Sequence, residues 1–208
     1  MRFLLLLLTV LPLLYGEAAA PRTYAYECNN GTRFTARFDA DGVRLFLPGT
    51  TVNLPHVPTA SGAKYADENI TFWTRADEAM LLRRGRQNTS CSVDMKASVW
   101  EAAKLDGFDF RAVGNEPGWT LLIAGGGEGL ILTTNDGSKS YIFKNGITYE
   151  DKRKRRTLIQ ASTRTHTLNV TLRAQPCSDT MSGETFETAV TVTLDGKRTL
   201  RGCGRALH

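Results

Sequence analysis

The chain has 208 residues, of which 41% are hydrophobic, and a formal net charge of +5. After the N-terminal segment no apolar stretch is long enough to span a bilayer, which excludes stable membrane insertion. Most of the positive excess lies after residue 95, much of it in the run Lys152–Arg156. Such a run in an exported chain most often forms a solvated hairpin tip, with contact to anionic lipid or cell-wall polymer as the alternative, and nucleic acid is not expected as a partner.

Residues 1–20 predict a cleavable export signal. Arg2 supplies a positive start, Phe3–Leu14 an apolar core and Ala18–Ala20 a small-residue cleavage site. A lipoprotein would need a cysteine at the cleavage point, but the first cysteine is Cys28. We therefore expect a soluble periplasmic protein without a lipid anchor.

The segment that follows predicts short antiparallel strands. Residues 33–38 alternate between polar and apolar side chains, as a strand with one buried face should. Turns rich in asparagine and glycine separate the strands, as at residues 29–31. The predicted strands are 24–28, 33–38, 43–47, 51–54, 69–74, 79–82 and 87–91. Their spacing predicts a small antiparallel barrel over residues 21–93.

Residues 54–79 predict a long exposed recognition loop that leads into a strand. This stretch presents a hydroxyl at Ser61 and a guanidinium at Arg75, both close to aromatic residues. Taken alone, the pattern also fits an ordinary Ser-Gly turn, a solvated arginine, and a strand on which Phe72 and Trp73 point to opposite faces. The residues themselves do not choose between these interpretations.

Residues 94–107 predict a short helical linker between two domains. Ser98 and Glu101 have the Ser-x-x-Glu spacing of a capping box, and Gly107 ends the segment.

Residues 108–208 predict a second, closed antiparallel barrel, because short apolar strands again alternate with glycine-rich turns. The predicted strands are 108–113, 119–124, 130–134, 140–144, 156–160, 165–173, 188–194 and 198–202. The chain as a whole is therefore predicted to be all-β, with two small antiparallel barrels joined by a short helical linker.

The four cysteines predict disulfides, since an exported chain lies in an oxidising compartment. Four cysteines allow three pairings, and the sequence does not choose among them. The pairing of Cys28 with Cys91 and of Cys177 with Cys203 is the one that needs no contact between the halves. The C-x-x-C spacing of zinc and redox sites is absent from the sequence, so no metal and no cofactor is expected.

Catalysis is not predicted. Ser182 lacks a convincing histidine and acid partner, because His56, His166 and His208 are scattered along the chain. A candidate ligand site in the second half consists of Asn115, Glu116, Trp119, Asp179 and Ser182. Turn-forming and capping roles explain its polar members equally well.

Several motifs of the first half together resemble the bacterial periplasmic and membrane-bound inhibitors of c-type lysozyme. The motifs are Tyr26–Cys28, Asn30–Gly31, Leu47–Gly49, Ser61–Tyr65, Phe72–Trp73, Asp77–Ala79 and Cys91. The resemblance covers residues 24–91 and implies a small antiparallel β-barrel whose conserved loop enters the lysozyme cleft. It also implies that the motif serine faces one catalytic carboxyl group, while a lysine after the Phe-Trp pair meets another.

Carried over to this sequence, the serine is Ser61 and the basic residue is Arg75, where the family usually has lysine followed by glycine. Arginine keeps the positive charge, but its planar fork is not equivalent to an ammonium group. The lysozyme-binding residues implied by the resemblance are Ser61, Gly62, Lys64, Tyr65, Phe72, Trp73 and Arg75.

The second half resembles an uncharacterised family of bacterial envelope domains over residues 98–205, which implies a β-barrel and no chemistry. The motifs that carry this resemblance are Phe110–Trp119, Pro176–Gly183 and Gly202–Gly204. The function predicted from both resemblances is an exported proteinaceous inhibitor, with c-type lysozyme as its protein partner. The alternative is a periplasmic binding or scaffold protein for small envelope ligands or cell-wall fragments, without lysozyme inhibition.

Overall fold

The structure is a computed structural model that describes residues 20–208. The export signal predicted from the sequence lies, except for its last residue, outside the described residues. The described part is all-β apart from one short helix and a single turn of 3-10 helix, which confirms the predicted fold class. None of its helices has the length and apolar composition needed to cross a membrane.

The first sheet is a closed antiparallel barrel of eight strands in chain order. Its strands are β1 (Arg22–Cys28), β2 (Arg33–Phe38), β3 (Gly42–Leu47), β4 (Thr50–Val57), β5 (Ala63–Ala66), β6 (Ile70–Arg75), β7 (Glu78–Arg83) and β8 (Thr89–Asp94). Pairing of β1 with β8 closes the barrel, and Cys28 stands directly opposite Cys91 in that pair. The disulfide between them therefore fastens the two strands at which the barrel closes.

An aromatic cluster fills the centre of this barrel. Tyr26 stacks on Phe34 with ring centroids 5.2 Å apart, and Phe72 meets Tyr26 edge-to-face at 5.4 Å. Phe72 and Leu45 are fully buried. Because the strands alternate, the neighbours of these core residues point outward and are free to form a surface site.

The long recognition loop predicted for residues 54–79 is wrong in its extent. Most of that stretch lies in β4, β5 and β6, so the loop is reduced to residues 58–62. The segment pairs as a strand because Tyr65 of β5 turns inward, with its ring 5.6 Å from Phe38 and 6.4 Å from Phe72. Burial of that ring outweighs the weak strand pattern of a four-residue segment.

Helix α1 (Met95–Leu105) follows β8 without a linker and begins four residues earlier than the capping-box pattern predicts. Its N-cap is Asp94, whose carboxylate accepts a hydrogen bond from the Ala97 amide at 2.9 Å. Ser98 therefore does not cap the helix. Its buried hydroxyl donates to the Asp94 carbonyl at 2.6 Å and accepts the backbone N–H of Ala25 in β1 at 2.8 Å.

The helix packs between the two sheets. Toward the barrel, Asp106 pairs with Arg37 of β2 at 2.9 Å. Toward the second half of the chain, Trp100 lies 5.4 Å from the Phe186 ring, and Ala103 and Leu207 complete a small buried cluster. The predicted linker is thus a packed element that touches both halves.

The second sheet has nine antiparallel strands in the order β12-β11-β10-β9-β19-β18-β15-β14-β13. Its strands in chain order are β9 (Phe110–Asn115), β10 (Gly118–Ala124), β11 (Gly129–Thr134), β12 (Lys139–Lys144), β13 (Ile147–Asp151), β14 (Arg156–Ser162), β15 (Thr167–Arg173), β18 (Thr188–Leu194) and β19 (Arg198–Ala206). A two-stranded ribbon, β16 (Cys177–Ser178) with β17 (Thr185–Phe186), is separate from it.

This sheet curls around a core that includes Leu121, Leu132 and Val192, all fully buried. The predicted closure does not occur, because β12 and β13 are the two edges of the sheet and do not pair with each other. We call this sheet the half-barrel. The sequence did not predict β13, since its first four residues are all exposed and it has no buried face to produce an alternating pattern.

The disulfide pairing within each half is confirmed. Besides Cys28 with Cys91, Cys177 is bonded to Cys203 and ties β16 to the last strand of the half-barrel.

Candidate functional site

The outer face of the barrel carries an open groove of about 790 Å³. It runs across four neighbouring strands, β6, β7, β8 and β1, and it includes the loop before β5 at Ser61. Ser61 and Arg75, which lie fourteen positions apart in the sequence, both border this groove. We call this feature the barrel groove.

Trp73 holds the Ser61 loop at the edge of the groove. The Trp73 indole Nε1 donates a hydrogen bond to the Ser61 carbonyl at 2.9 Å. Gly62 adopts φ +68°, and a Cβ at this position would clash with the Thr74 carbonyl oxygen. The glycine is therefore required by both its backbone angle and the close approach of β6, which leaves the exposed Ser61 side chain at the rim.

Arg75 lies at the exposed end of β6. Among the residues that the structure describes it forms no ion pair, so its guanidinium is available to a partner. The next residue, Ala76, adopts φ +50°, a left-handed conformation that favours glycine. This angle gives a physical reason for the glycine that usually follows the basic residue in the family the sequence resembles.

An apolar pair forms the floor of the groove. Trp73 of β6 and Met80 of β7 stand opposite each other in the strand register. The exposed fraction of Trp73 is 38%, and that of Met80 is 39%. Exposed apolar side chains of this size, bordered by polar groups, are typical of surfaces that bind another protein.

Four of the residues implied by the resemblance do not line the groove, namely Gly62, Lys64, Tyr65 and Phe72. Phe72 is fully buried in the core, and Tyr65 is half-buried against it, where burial raises the pKa of its phenol. Lys64 stands opposite Trp73 on the neighbouring strand β5. We therefore assign Phe72 and Tyr65 a supporting role, in which they hold β5 and β6 from the inside.

The sequence pattern missed several groove residues, notably Glu27, Glu78 and Met80. Glu27 pairs with Arg33 at 2.8 Å, whereas Glu78 stands opposite Arg75 in the strand register. Only the pairing of β6 with β7 and of β1 with β8 brings these side chains to one surface, so strand register is the signal that would have found them.

The candidate ligand site in the second half has a structural explanation. Asp179 is buried and accepts hydrogen bonds from the Ser182 backbone N–H at 2.7 Å and from the Asn115 amide at 2.9 Å. The first of these contacts is the largest cause that lowers the pKa of Asp179. Its oxygens are thus occupied in organising the loop after β16.

The other two members of that set do not converge on Asp179. Trp119 is buried and donates its indole N–H to the Arg201 carbonyl at 3.3 Å. Glu116 is exposed at the rim of a shallow depression of about 630 Å³ that also borders Asn115 and Asp179. The five residues therefore do not form one convergent polar site.

The residues that are similar to known proteins lie in the barrel. Residues 26–90 match the family model described as membrane-bound lysozyme inhibitor of c-type lysozyme. A protein of that name from Yersinia enterocolitica is 43% identical over 63 residues, which are 29% of this chain and 53% of the relative. Its namesake from Pseudomonas aeruginosa is 35% identical over 65 residues, which are 29% of this chain and 51% of the relative.

This chain thus spans about half the length of the curated relatives that it matches. A crystal structure of Pseudomonas aeruginosa MliC in complex with hen egg white lysozyme is 29% identical in sequence. That likeness covers 43% of this chain and 99% of the other, with a TM-score of 0.32. The family resemblance predicted from the sequence is confirmed for residues 26–90, and the half-barrel lies outside the matched residues.

Proposed function

We propose that this protein inhibits c-type lysozyme by placing the Ser61 loop and Arg75 in the catalytic cleft. The observation that carries the proposal is the barrel groove, where an exposed hydroxyl, an arginine without an ion pair among the described residues, and an exposed Trp73–Met80 pair share one surface. The curated relatives matched by the barrel are named inhibitors of c-type lysozyme, which supports the same activity here.

The chemistry of the target explains why this pair of groups suits inhibition. Glycosidases of this kind use two carboxyl groups, one protonated and one ionised. The Ser61 hydroxyl can accept a hydrogen bond from the protonated group, and the Arg75 guanidinium can bind the ionised one through two parallel hydrogen bonds. An inhibitor that satisfies both groups also blocks the cleft to substrate.

Charge in the groove offsets the basic character of the chain as a whole. Basic lysozymes would be repelled at long range by a chain with net charge +5. The exposed Glu78 carboxylate beside Arg75 supplies a local negative group at the groove. Local complementarity of this kind sets orientation and specificity more than overall charge does.

The proposal is tested by titrating hen egg white lysozyme activity with residues 20–208 and with two variants, Ser61→Ala and Arg75→Ala. We expect near-stoichiometric inhibition by the unaltered chain. The arginine variant should weaken inhibition most, by about 2 to 5 kcal/mol, because a buried carboxylate in the cleft loses its partner. Circular dichroism and thermal melts check that each variant is folded.

Matched controls separate a local effect from a general one. Arg84→Ala removes another exposed arginine, which lies outside the groove, and Ser138→Ala removes an exposed hydroxyl of the half-barrel. Both controls should inhibit as well as the unaltered chain. Arg75→Lys tests whether charge alone suffices or whether the guanidinium fork contributes.

A folded chain that leaves several c-type lysozymes fully active would contradict the proposal and favour the envelope-binding alternative. Inhibition that neither Ser61→Ala nor Arg75→Ala weakens would retain the activity but reject the cleft-insertion mechanism. We place the activity in the periplasm and in the barrel, residues 21–93, and we expect no enzymatic activity of the chain itself.

A further inference from the structure

The two edge strands of the half-barrel carry exposed apolar side chains. Ile142 of β12 is 60% exposed, and Ile147 and Tyr149 of β13 are 57% and 52% exposed. On β12, Phe143 faces the core, so its neighbour Ile142 points outward. Ile147 stands opposite the exposed Gln160 of β14, so it points outward as Ile142 does. Only residues 145–146 connect β12 to β13, and β12 also lies near β14, so we call the region where these two edges approach each other the seam.

A basic hairpin tip follows directly on β13. Residues 152–155 are all exposed, and the turn links β13 to β14. Asp151 is the nearest counter-charge and reaches Lys154 at 3.8 Å and Arg156 at 3.7 Å. Lys152 and Arg153 make no ion pair among the residues that the structure describes.

We propose that this seam, consisting of Ile142, Ile147, Tyr149 and the exposed tip of residues 152–155, binds peripherally to an anionic phospholipid surface. Cations beside protruding apolar side chains are the combination that holds a protein at a lipid interface, since the charges meet headgroups while the apolar groups enter the acyl boundary. Tyr149 adds an amphipathic ring of the type found at that depth.

The charge beside the apolar side chains favours an anionic lipid surface over a protein partner. Ile142, Ile147 and Tyr149 are more than half exposed, and the exposed basic turn that follows β13 complements anionic headgroups. A fluid bilayer accepts protruding groups without a matching cavity. Sheet edges with exposed apolar residues invite aggregation unless something covers them, and an interfacial location would supply that cover.

The surface is distinct from the barrel groove, which lies in the other half of the chain, so the inference does not depend on lysozyme inhibition. The test uses residues 20–208, since an intact export signal would itself bind membranes. Phosphatidylglycerol vesicles and phosphatidylcholine vesicles are sedimented with the protein at low and high salt. We expect binding to the anionic vesicles that salt weakens.

The charge contribution is tested with the double variant Lys152→Gln and Arg153→Gln. Loss of two charges near the surface should weaken binding to anionic vesicles about 30-fold. The matched control is Arg84→Gln with Arg86→Gln, which removes two exposed charges from a turn of the barrel. The control should bind as the unaltered chain does, and an equal loss in both variants would overturn the proposal in favour of diffuse charge attraction.

The apolar contribution is tested with Ile147→Ser and Tyr149→Ser together, which should weaken binding about tenfold or more. The matched control is Met95→Ser with Val99→Ser, two exposed apolar side chains of α1. Anionic vesicles that fail to sediment the folded chain would overturn the proposal. Seam variants that alter only self-association in sedimentation velocity, with no vesicle binding, would identify a protein interface and overturn it as well.

Discussion

The barrel and the half-barrel differ in how their end strands meet. In the barrel, β1 pairs with β8, and a disulfide joins Cys28 to Cys91 across that pair. In the half-barrel, β12 and β13 are consecutive in the chain yet remain unpaired edges. Closure gives every strand of the barrel a hydrogen-bonded neighbour on both sides, and the outward side chains are left to form a groove. The open sheet keeps two edge strands whose backbone N–H and C=O groups lack a strand partner on one side.

The two disulfides reflect the same difference. One joins the closing strands of the barrel through cysteines 63 positions apart, and the other joins β16 to β19 through cysteines 26 positions apart. A cross-link that closes a longer loop removes more entropy from the unfolded chain. The disulfide of the barrel is therefore expected to contribute more to stability than the disulfide of the half-barrel.

Removal of the disulfides should produce the largest effect. Cys28→Ser with Cys91→Ser is expected to lower the free energy of unfolding by about 4 kcal/mol, and Cys177→Ser with Cys203→Ser by about 3.5 kcal/mol. Equilibrium denaturation in urea measures both losses. A larger loss from the second pair would contradict the view that the covalent closure matters most in the barrel.

A smaller effect is expected where α1 joins the two halves. Ser98→Ala leaves the buried N–H of Ala25 without its acceptor, which should cost about 1 to 3 kcal/mol. We also expect the unfolding of the two halves to become less concerted, as measured by comparing aromatic fluorescence with far-ultraviolet circular dichroism. Ser138→Ala, at an exposed turn, is the control, and equal behaviour of the two variants would show that Ser98 does not couple the halves.

The smallest effect concerns the turn beside the barrel groove. Ala76→Gly should stabilise the chain by about 0.5 to 1 kcal/mol, because glycine removes the strain of φ +50° at some cost in backbone entropy. Ala40→Gly, in a turn where the alanine has no positive φ, should destabilise it instead. We expect the melting temperature to rise in Ala76→Gly and to fall in Ala40→Gly. A change in the same direction in both variants would contradict this explanation.

Prediction from sequence succeeded where a strand has one buried face. Residues 188–194 were predicted as a strand and form β18 with the same bounds, since Val190, Val192 and Leu194 are buried and alternate with half-buried residues. It failed where that contrast is missing. The exposed strand β13 has no apolar period, and the four-residue β5 follows a proline-rich segment that resembles a loop.

The candidate site divides in the same way. Ser61, Trp73 and Arg75 were identified from motifs close together in the sequence, and all three border the barrel groove. Glu27 and Met80 were missed because they lie on other strands, β1 and β7. Only the pairing of β1 with β8 and of β6 with β7 brings these two residues to the same surface as Trp73 and Arg75. The helix cap was misassigned to Ser98 for a related reason, since its hydroxyl is used by a residue 73 positions away.

The sequence by itself determined the all-β class, most strand positions and the family resemblance of the barrel, and it left three disulfide pairings open, of which the structure has the one within each half. Only the tertiary structure decided which sheet closes, which side chains share the groove, and where the edges of the half-barrel lie. Alternation of polar and apolar residues indicates whether a strand has a buried face. It does not indicate which distant strand pairs with that strand, because strand pairing depends on packing between segments far apart in the chain.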